Sequence, residues 1–215
     1  MRRIILIALS VVAFGGCASI TEPNHTIKQN TIASGGYPSA NIVVSEKFRY
    51  GGTEAEYGRS FGDAANTSST SVKNTMFGFQ DNSRSQKRVL LVQFFRISKL
   101  GWNFLREPEI SGIGVIFNEV PTTIGDMESY SRFFEGGGLF GSSANNRDCG
   151  VGTTIRQIPS GMRQHKLRIT YAEEISCDTF HQYQYVNGGL TQTGRIRLEK
   201  VLDRALDSFA IVPKD

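Results

Sequence analysis

Apolar and polar positions change period along the chain, and the changes mark its elements. Val89-Leu90-Leu91-Val92-Gln93-Phe94-Phe95 is a nearly continuous apolar run, the pattern of a strand buried on both faces. Lys166 to Tyr171 alternates: Leu167, Ile169 and Tyr171 point one way, and Lys166, Arg168 and Thr170 the other. That is a strand with one wet face. Gly112 to Phe117 alternates as well, with Ile113, Val115 and Phe117 on one side, and Ile42-Val43-Val44 opens a short strand. Gln182 to Val186, then Asn187-Gly188, then Gly189 to Ile196 predicts a hairpin, because Asn-Gly supplies the positive φ that a tight turn needs.

The period changes to 3.6 near the carboxyl terminus. Arg195 to Phe209 places Leu198, Val201, Leu202, Ala205 and Phe209 on one stripe, with Glu199, Lys200, Asp203 and Arg204 opposite, which predicts an amphipathic helix. A shorter stripe of Ile124, Met127 and Phe134 predicts a second helix over Thr123 to Phe134. Strands in the majority with a C-terminal helix give the expected fold class, α+β: a twisted, mostly antiparallel sheet with that helix packed on one face. Two polar stretches interrupt the pattern. Ala18 to Ala40, with Pro23, Gly35, Gly36 and Pro38, reads as a flexible tether, and Asp63 to Lys73 reads as a loop. Residues 41–215 are then expected to form a single globular domain.

The amino terminus has a pattern of its own. Two arginines, Arg2 and Arg3, precede an apolar run of eleven residues, Ile4 to Phe14, too short for a spanning helix of about 20 residues. A charged start, a short apolar core and small residues at the end mark residues 1–16 as a secretory signal peptide. Phe14-Gly15-Gly16-Cys17 resembles the lipobox of bacterial lipoproteins, with Phe where Leu is commonest. The resemblance covers this segment alone. It implies cleavage before Cys17 and lipidation of its thiol. The rule that goes with it favours the outer membrane over the inner, because Ala18 and Ser19 follow the cysteine rather than Asp. Stable anchoring needs more than one acyl chain, which a triacylated cysteine supplies.

Once residues 1–16 leave, 199 of the 215 remain, and the formal charge drops from +4 to +2. That is too small a charge to argue for nucleic acid, and export argues against it further. The cluster Arg84-Ser85-Gln86-Lys87-Arg88 reads as a solvated loop. With Cys17 committed to lipid, Cys149 and Cys177 are left as an even pair in an oxidising compartment, where a disulfide is expected. Such a bond closes a loop worth about 3.6 kcal/mol in the chain-entropy model. Two free thiols, or a reactive cysteine beside a histidine, are the alternatives.

Other candidate chemistry dissolves on inspection. Gly136 to Gly141 fits G-x-G-x-x-G, but Ser142-Ser143-Ala144-Asn145-Asn146 follows, a loop composition where dinucleotide binding needs a helix. No cofactor is expected. His25, His165 and His181 are not spaced as metal ligands. Glu173 and Glu174 are adjacent, so in a strand they face opposite ways and cannot serve one glycosidase cleft. Glu107 and Glu109, flanking Pro108, and Trp102 carry no further pattern. Tyr183 and Tyr185, on one face of the expected hairpin, are the candidate binding surface, an aromatic platform for a sugar ring or a partner. The expectation is therefore a membrane-anchored envelope lipoprotein. Its non-enzymatic domain is presented to a protein or envelope-polymer partner. The alternative is a periplasmic hydrolase in which His165 or His181 meets a serine and an aspartate.

Overall fold

In a computed structural model of the protein, the described residues are 25–36, 38–61, 69–81, 86–97, 115–122, 124–125, 127–135, 139–140, 149–157, 164–183 and 189–214. They form eleven strands and two helices. A small antiparallel sheet holds β1 (His25–Lys28), β2 (Thr31–Ser34), β3 (Ala40–Val44) and, last in the chain, β11 (Phe209–Pro213), in that spatial order. The large sheet holds β4 (Arg49–Phe61), β5 (Ser69–Asp81), β6 (Arg88–Ile97), β7 (Ile116–Val120), β8 (Met127–Glu135), β9 (Cys149–Gln157) and β10 (His165–Ile175). Its spatial order is β4-β5-β6-β10-β9-β8-β7, antiparallel throughout. Two meanders thus meet where β10 docks beside β6. Helices α1 (Cys177–Gln182) and α2 (Gln192–Leu206) follow β10.

The strand patterns set which face is dry. Along β10, Leu167, Ile169 and Tyr171 are buried, and their partners across the ladder on β6, namely Phe94, Val92 and Leu90, are buried with them. Phe77 and Phe79 of β5 and Val151 and Ile155 of β9 continue the same inner face. Ile32, Ile42, Val44 and Phe48 of the small sheet and its exit close over it, joined into one core. Two ring contacts cross between the layers: His25 stacks on Phe94 at 4.0 Å, and Phe48 meets Tyr171 edge-on at 6.3 Å. α2 covers the other half, against β8 and β9, with Leu198, Val201 and Ala205 buried. The Thr191 hydroxyl caps α2 by accepting from the Gly194 N–H at 3.1 Å.

This is a mostly-β architecture of two antiparallel sheets, and it overturns the α+β expectation. The C-terminal helix forms, but it is outweighed by eleven strands in two sheets, and three local expectations change as well. Thr123 to Phe134 is not a helix: residues 127–135 form β8. Its inward positions are Met127, Ser129, Ser131 and Phe133, and the two buried serines hide the two-residue period. Gln182 to Ile196 is not a hairpin: Gln182 ends α1 and Gln192 opens α2, with Asn187-Gly188 outside the described residues. Ala18 to Ala40 is not a tether throughout: residues 25–34 fold back as the β1–β2 hairpin. Its turn holds Gln29 at φ 54°, and the Asn30 side chain donates to the Ser45 and Phe48 carbonyls at 3.1 and 2.8 Å. Of the expected loop over 63–73, residues 69–73 belong to β5, and of the expected strand over 112–117, residues 116–117 belong to β7.

Candidate functional site

The large sheet has two ends and an outer face, and each gathers a different chemistry. At one end stands Glu173 of β10, 1% exposed. Arg88 of β6 sits opposite it in the ladder, its Nε 3.8 Å from the carboxylate. Arg197 and Arg204, two turns apart on α2, reach the same group: Arg197 Nη2 donates to Oε2 at 3.0 Å and Arg204 Nη2 to Oε2 at 2.9 Å. Arg204 Nε donates to the other oxygen, as does the Tyr171 hydroxyl at 2.6 Å. Burial opposes ionisation of Glu173, but the Arg204 and Tyr171 hydrogen bonds and the Arg204 and Arg197 charges outweigh it and hold the carboxyl below its ordinary value. Burial, helped by that carboxylate, raises the Tyr171 phenol. Glu173 is therefore an anchored anion rather than a proton donor. Beside it lies a cavity of about 410 Å³ lined by Gln86, Glu174, Ser176, Thr179, Tyr183 and Arg197.

The disulfide expectation is met at this end. Cys149 opens β9, Cys177 opens α1, and their sulfurs are bonded across a sequence separation of 28. Tyr183 follows α1, stacked on Phe133 at 5.0 Å, so part of its ring is spent on core packing. Tyr185 and Cys17 lie outside the described residues. The strand face that was to align Tyr183 with Tyr185 is replaced by the end of α1.

The opposite end is basic. Lys73 of β5, Arg96 of β6 and His165 of β10 stand side by side in register, on the inner-face parity of Phe94 and Leu167. Two groups of the small sheet approach them. His25 opens β1 and stacks on Phe94, and Lys214, just past β11, donates from Nζ to the Ser34 carbonyl at 2.8 Å. Burial, then the charges of His165, Lys73 and Lys214, lower the His25 pKa to about 4. Burial and Arg96 lower that of His165. His25 Nδ1 is buried without a hydrogen-bond partner. No sequence pattern revealed this cluster, because its five members come from five separated segments and meet only through register.

The outer face of the large sheet carries a shallow trough of about 500 Å³, lined in part by Arg132, Phe134, Leu139, Thr154 and Thr170. Its floor is shaped by glycine. The Phe134 ring lies over Gly150 and Gly152 of β9, where any side chain would meet it. Phe140, of the glycine-rich segment, stacks on Phe134 at 6.1 Å and is buried, so its turn is packed against the sheet. Arg156 pairs with Glu128 at 2.7 Å, and Arg168 hydrogen-bonds Gln93 at 3.0 Å while lying over the Phe95 ring. Of the two histidines of the hydrolase alternative, His165 belongs to the basic end and His181 meets the Phe180 ring edge at 5.4 Å. Among the described residues no group of three side chains is placed to hold a metal ion. Comparison with protein-family models, with curated proteins and with solved structures finds no match.

Proposed function

We propose that the chain is an exported lipoprotein, cut before Cys17 and anchored by lipid on that cysteine. Its disulfide-bonded β domain is presented, without catalysis, to a protein or polymer of the cell envelope. The outer membrane is the favoured location. The observation that carries this reading is the charged, apolar and small-residue sequence that ends in Cys17. The Cys149–Cys177 bond supports it, since disulfides persist in oxidising compartments. The inner face of the large sheet is occupied by the small sheet and the helices, and on the outer face, where Gln93, Arg156 and Lys166 are buried, the trough beside the exposed Arg132 is open to a partner. Aromatic carbon at Phe134, threonine hydroxyls and the exposed Arg132 guanidinium form a surface suited to an acidic or sugar-bearing chain.

The test begins with the mass of the protein purified from membranes. Natural protein carries acyl mass on Cys17 and stays with membranes at high salt, and Cys17→Ser loses both. Wild type without lipid mass, together with a mutant that stays bound, sinks the anchor. Partner capture from membranes by the anchored protein, compared with Arg132→Glu, then reads the outer face. Equal recovery by both sinks the assignment of that surface.

A further inference from the structure

We propose that the basic end of the sandwich, His25, Lys73, Arg96, His165 and Lys214, docks against the anionic headgroups of the membrane that holds the anchor. This rests on lipidation at Cys17 and adds an orientation to it. The first observation is the number of residues between Cys17 and the first strand. Because β1 starts at His25, eight residue steps separate Cys17 from the folded domain rather than more than twenty. Fully extended, eight residues span about 28 Å at most, and as a coil about 16 Å. The domain is held close to the lipid surface, and the end of β1 that receives the tether is the basic end.

The second observation is the concentration of basic groups there. Lys73, Arg96 and His165 are neighbours across three strands, and His25 and Lys214 close over them from the other sheet. Lys214 is exposed and the other four are half-buried, so the cluster forms a rim that a headgroup can reach. The cations acting on the two histidines are Lys73 and Lys214 on His25 and Arg96 on His165. A phosphate at this rim sits beside the Lys73, Arg96 and Lys214 cations and offers the neutral His25 imidazole a partner at Nδ1. A lipid phosphate complements both the sign and the location of the rim, because the tether delivers the rim to it. The opposite end, where Glu173 already neutralises arginines, is held away from the bilayer.

Lysine acetylation footprints, read by mass spectrometry on the natural anchored protein in vesicles, test this directly. In vesicles containing phosphatidylglycerol, Lys73 and Lys214 are expected to react at least severalfold more slowly than in pure phosphatidylcholine. Lys47 and Lys200, exposed elsewhere, should not change. High salt should restore the reactivity. Equal reactivity of Lys73 and Lys214 in both vesicles overturns the proposal. So does equal protection by inorganic phosphate without vesicles, which marks a small-anion site instead. The acyl mass on Cys17 is read from the same sample, so loss of the anchor and loss of docking are separate results. In a Cys17→Ser background, Lys73→Gln and Lys214→Gln are each expected to weaken partitioning onto the anionic vesicles about fivefold. Unchanged partitioning counts against the basic end.

Discussion

The Arg204 guanidinium grips the Glu173 carboxylate with two hydrogen bonds, one to each oxygen, and so ties the last turn of α2 to β10. Tyr171 and Arg197 complete the shell around the same carboxylate. Removing the buried acid leaves three guanidinium groups facing one another without compensation. Glu173→Gln is therefore expected to cost about 3 kcal/mol, the lower end for a broken buried pair because the arginines are partly exposed. Arg204→Ala should cost less, since Arg88 and Arg197 still face the carboxylate. Urea denaturation of the two variants beside wild type checks the order.

Acid should weaken the fold in two stages, His25 and His165 first and Glu173 second. The His25 pKa falls from 6.5 to about 4 on folding, so its contribution is present above pH 6.5 and is lost as pH drops toward about 4. That contribution is at most about 3 kcal/mol. Glu173 is also held below its ordinary value of 4.5, so its contribution begins to fade below that pH and is lost as pH falls through its folded value. His25→Phe, which keeps a ring on Phe94, should flatten the stability curve between pH 6.5 and 4. A variant curve that still falls as steeply as wild type there refutes the assignment to His25.

The Cys149–Cys177 bond closes one long loop between the start of β9 and the start of α1. Restricting that loop in the unfolded chain is worth roughly 3–4 kcal/mol. Thermal melts with and without reductant, and of the paired Cys149→Ser, Cys177→Ser variant, should show the same loss. A melting temperature insensitive to reductant contradicts it.

Two glycines of β9 are expected to respond differently to alanine. At Gly150 the new methyl would overlap the Phe134 ring, which can swing away at the cost of its packing with Phe140. At Gly152 it would sit 2.7 Å from the Tyr171 carbonyl oxygen, part of a backbone paired on both sides. Gly152→Ala should thus be the more destabilising, by about 1–3 kcal/mol or more. Adding Phe134→Ala should rescue much of the Gly150→Ala loss and little of the other. Double-mutant denaturation cycles separate the two cases.

Legibility in the sequence followed the length and purity of each pattern. The Leu167-Ile169-Tyr171 alternation and the apolar run at Val89 to Phe95 became neighbouring strands, because long runs bury enough surface to decide their own structure. The stripe of Leu198, Val201 and Ala205 became α2, displaced three residues toward the amino terminus at its start. Among the short elements, Ile42-Val43-Val44 marked β3, but the β1–β2 hairpin was not legible. Ile27 and Ile32 are the only large apolar residues of the β1–β2 hairpin, and Ile32 finds its burial against residues far along the chain. The candidate sites were hidden for the same reason. Glu173 stands beside Glu174 in the sequence as a pair of acids, yet its arginine partners come from β6 and from the polar side of α2.

From the sequence alone came the strongest periodicities, the pairing of Cys149 with Cys177 and the expectation of an anchor at Cys17, all properties of local pattern or of counting. Tertiary structure decided the mostly-β architecture, the β1–β2 hairpin, the arginine shell of Glu173 and the basic end. Each of these depends on which strands lie side by side and in what register. Register is set by burial across the whole sheet, where a slip of one residue would turn every side chain to the other face. No window of neighbouring residues contains that information.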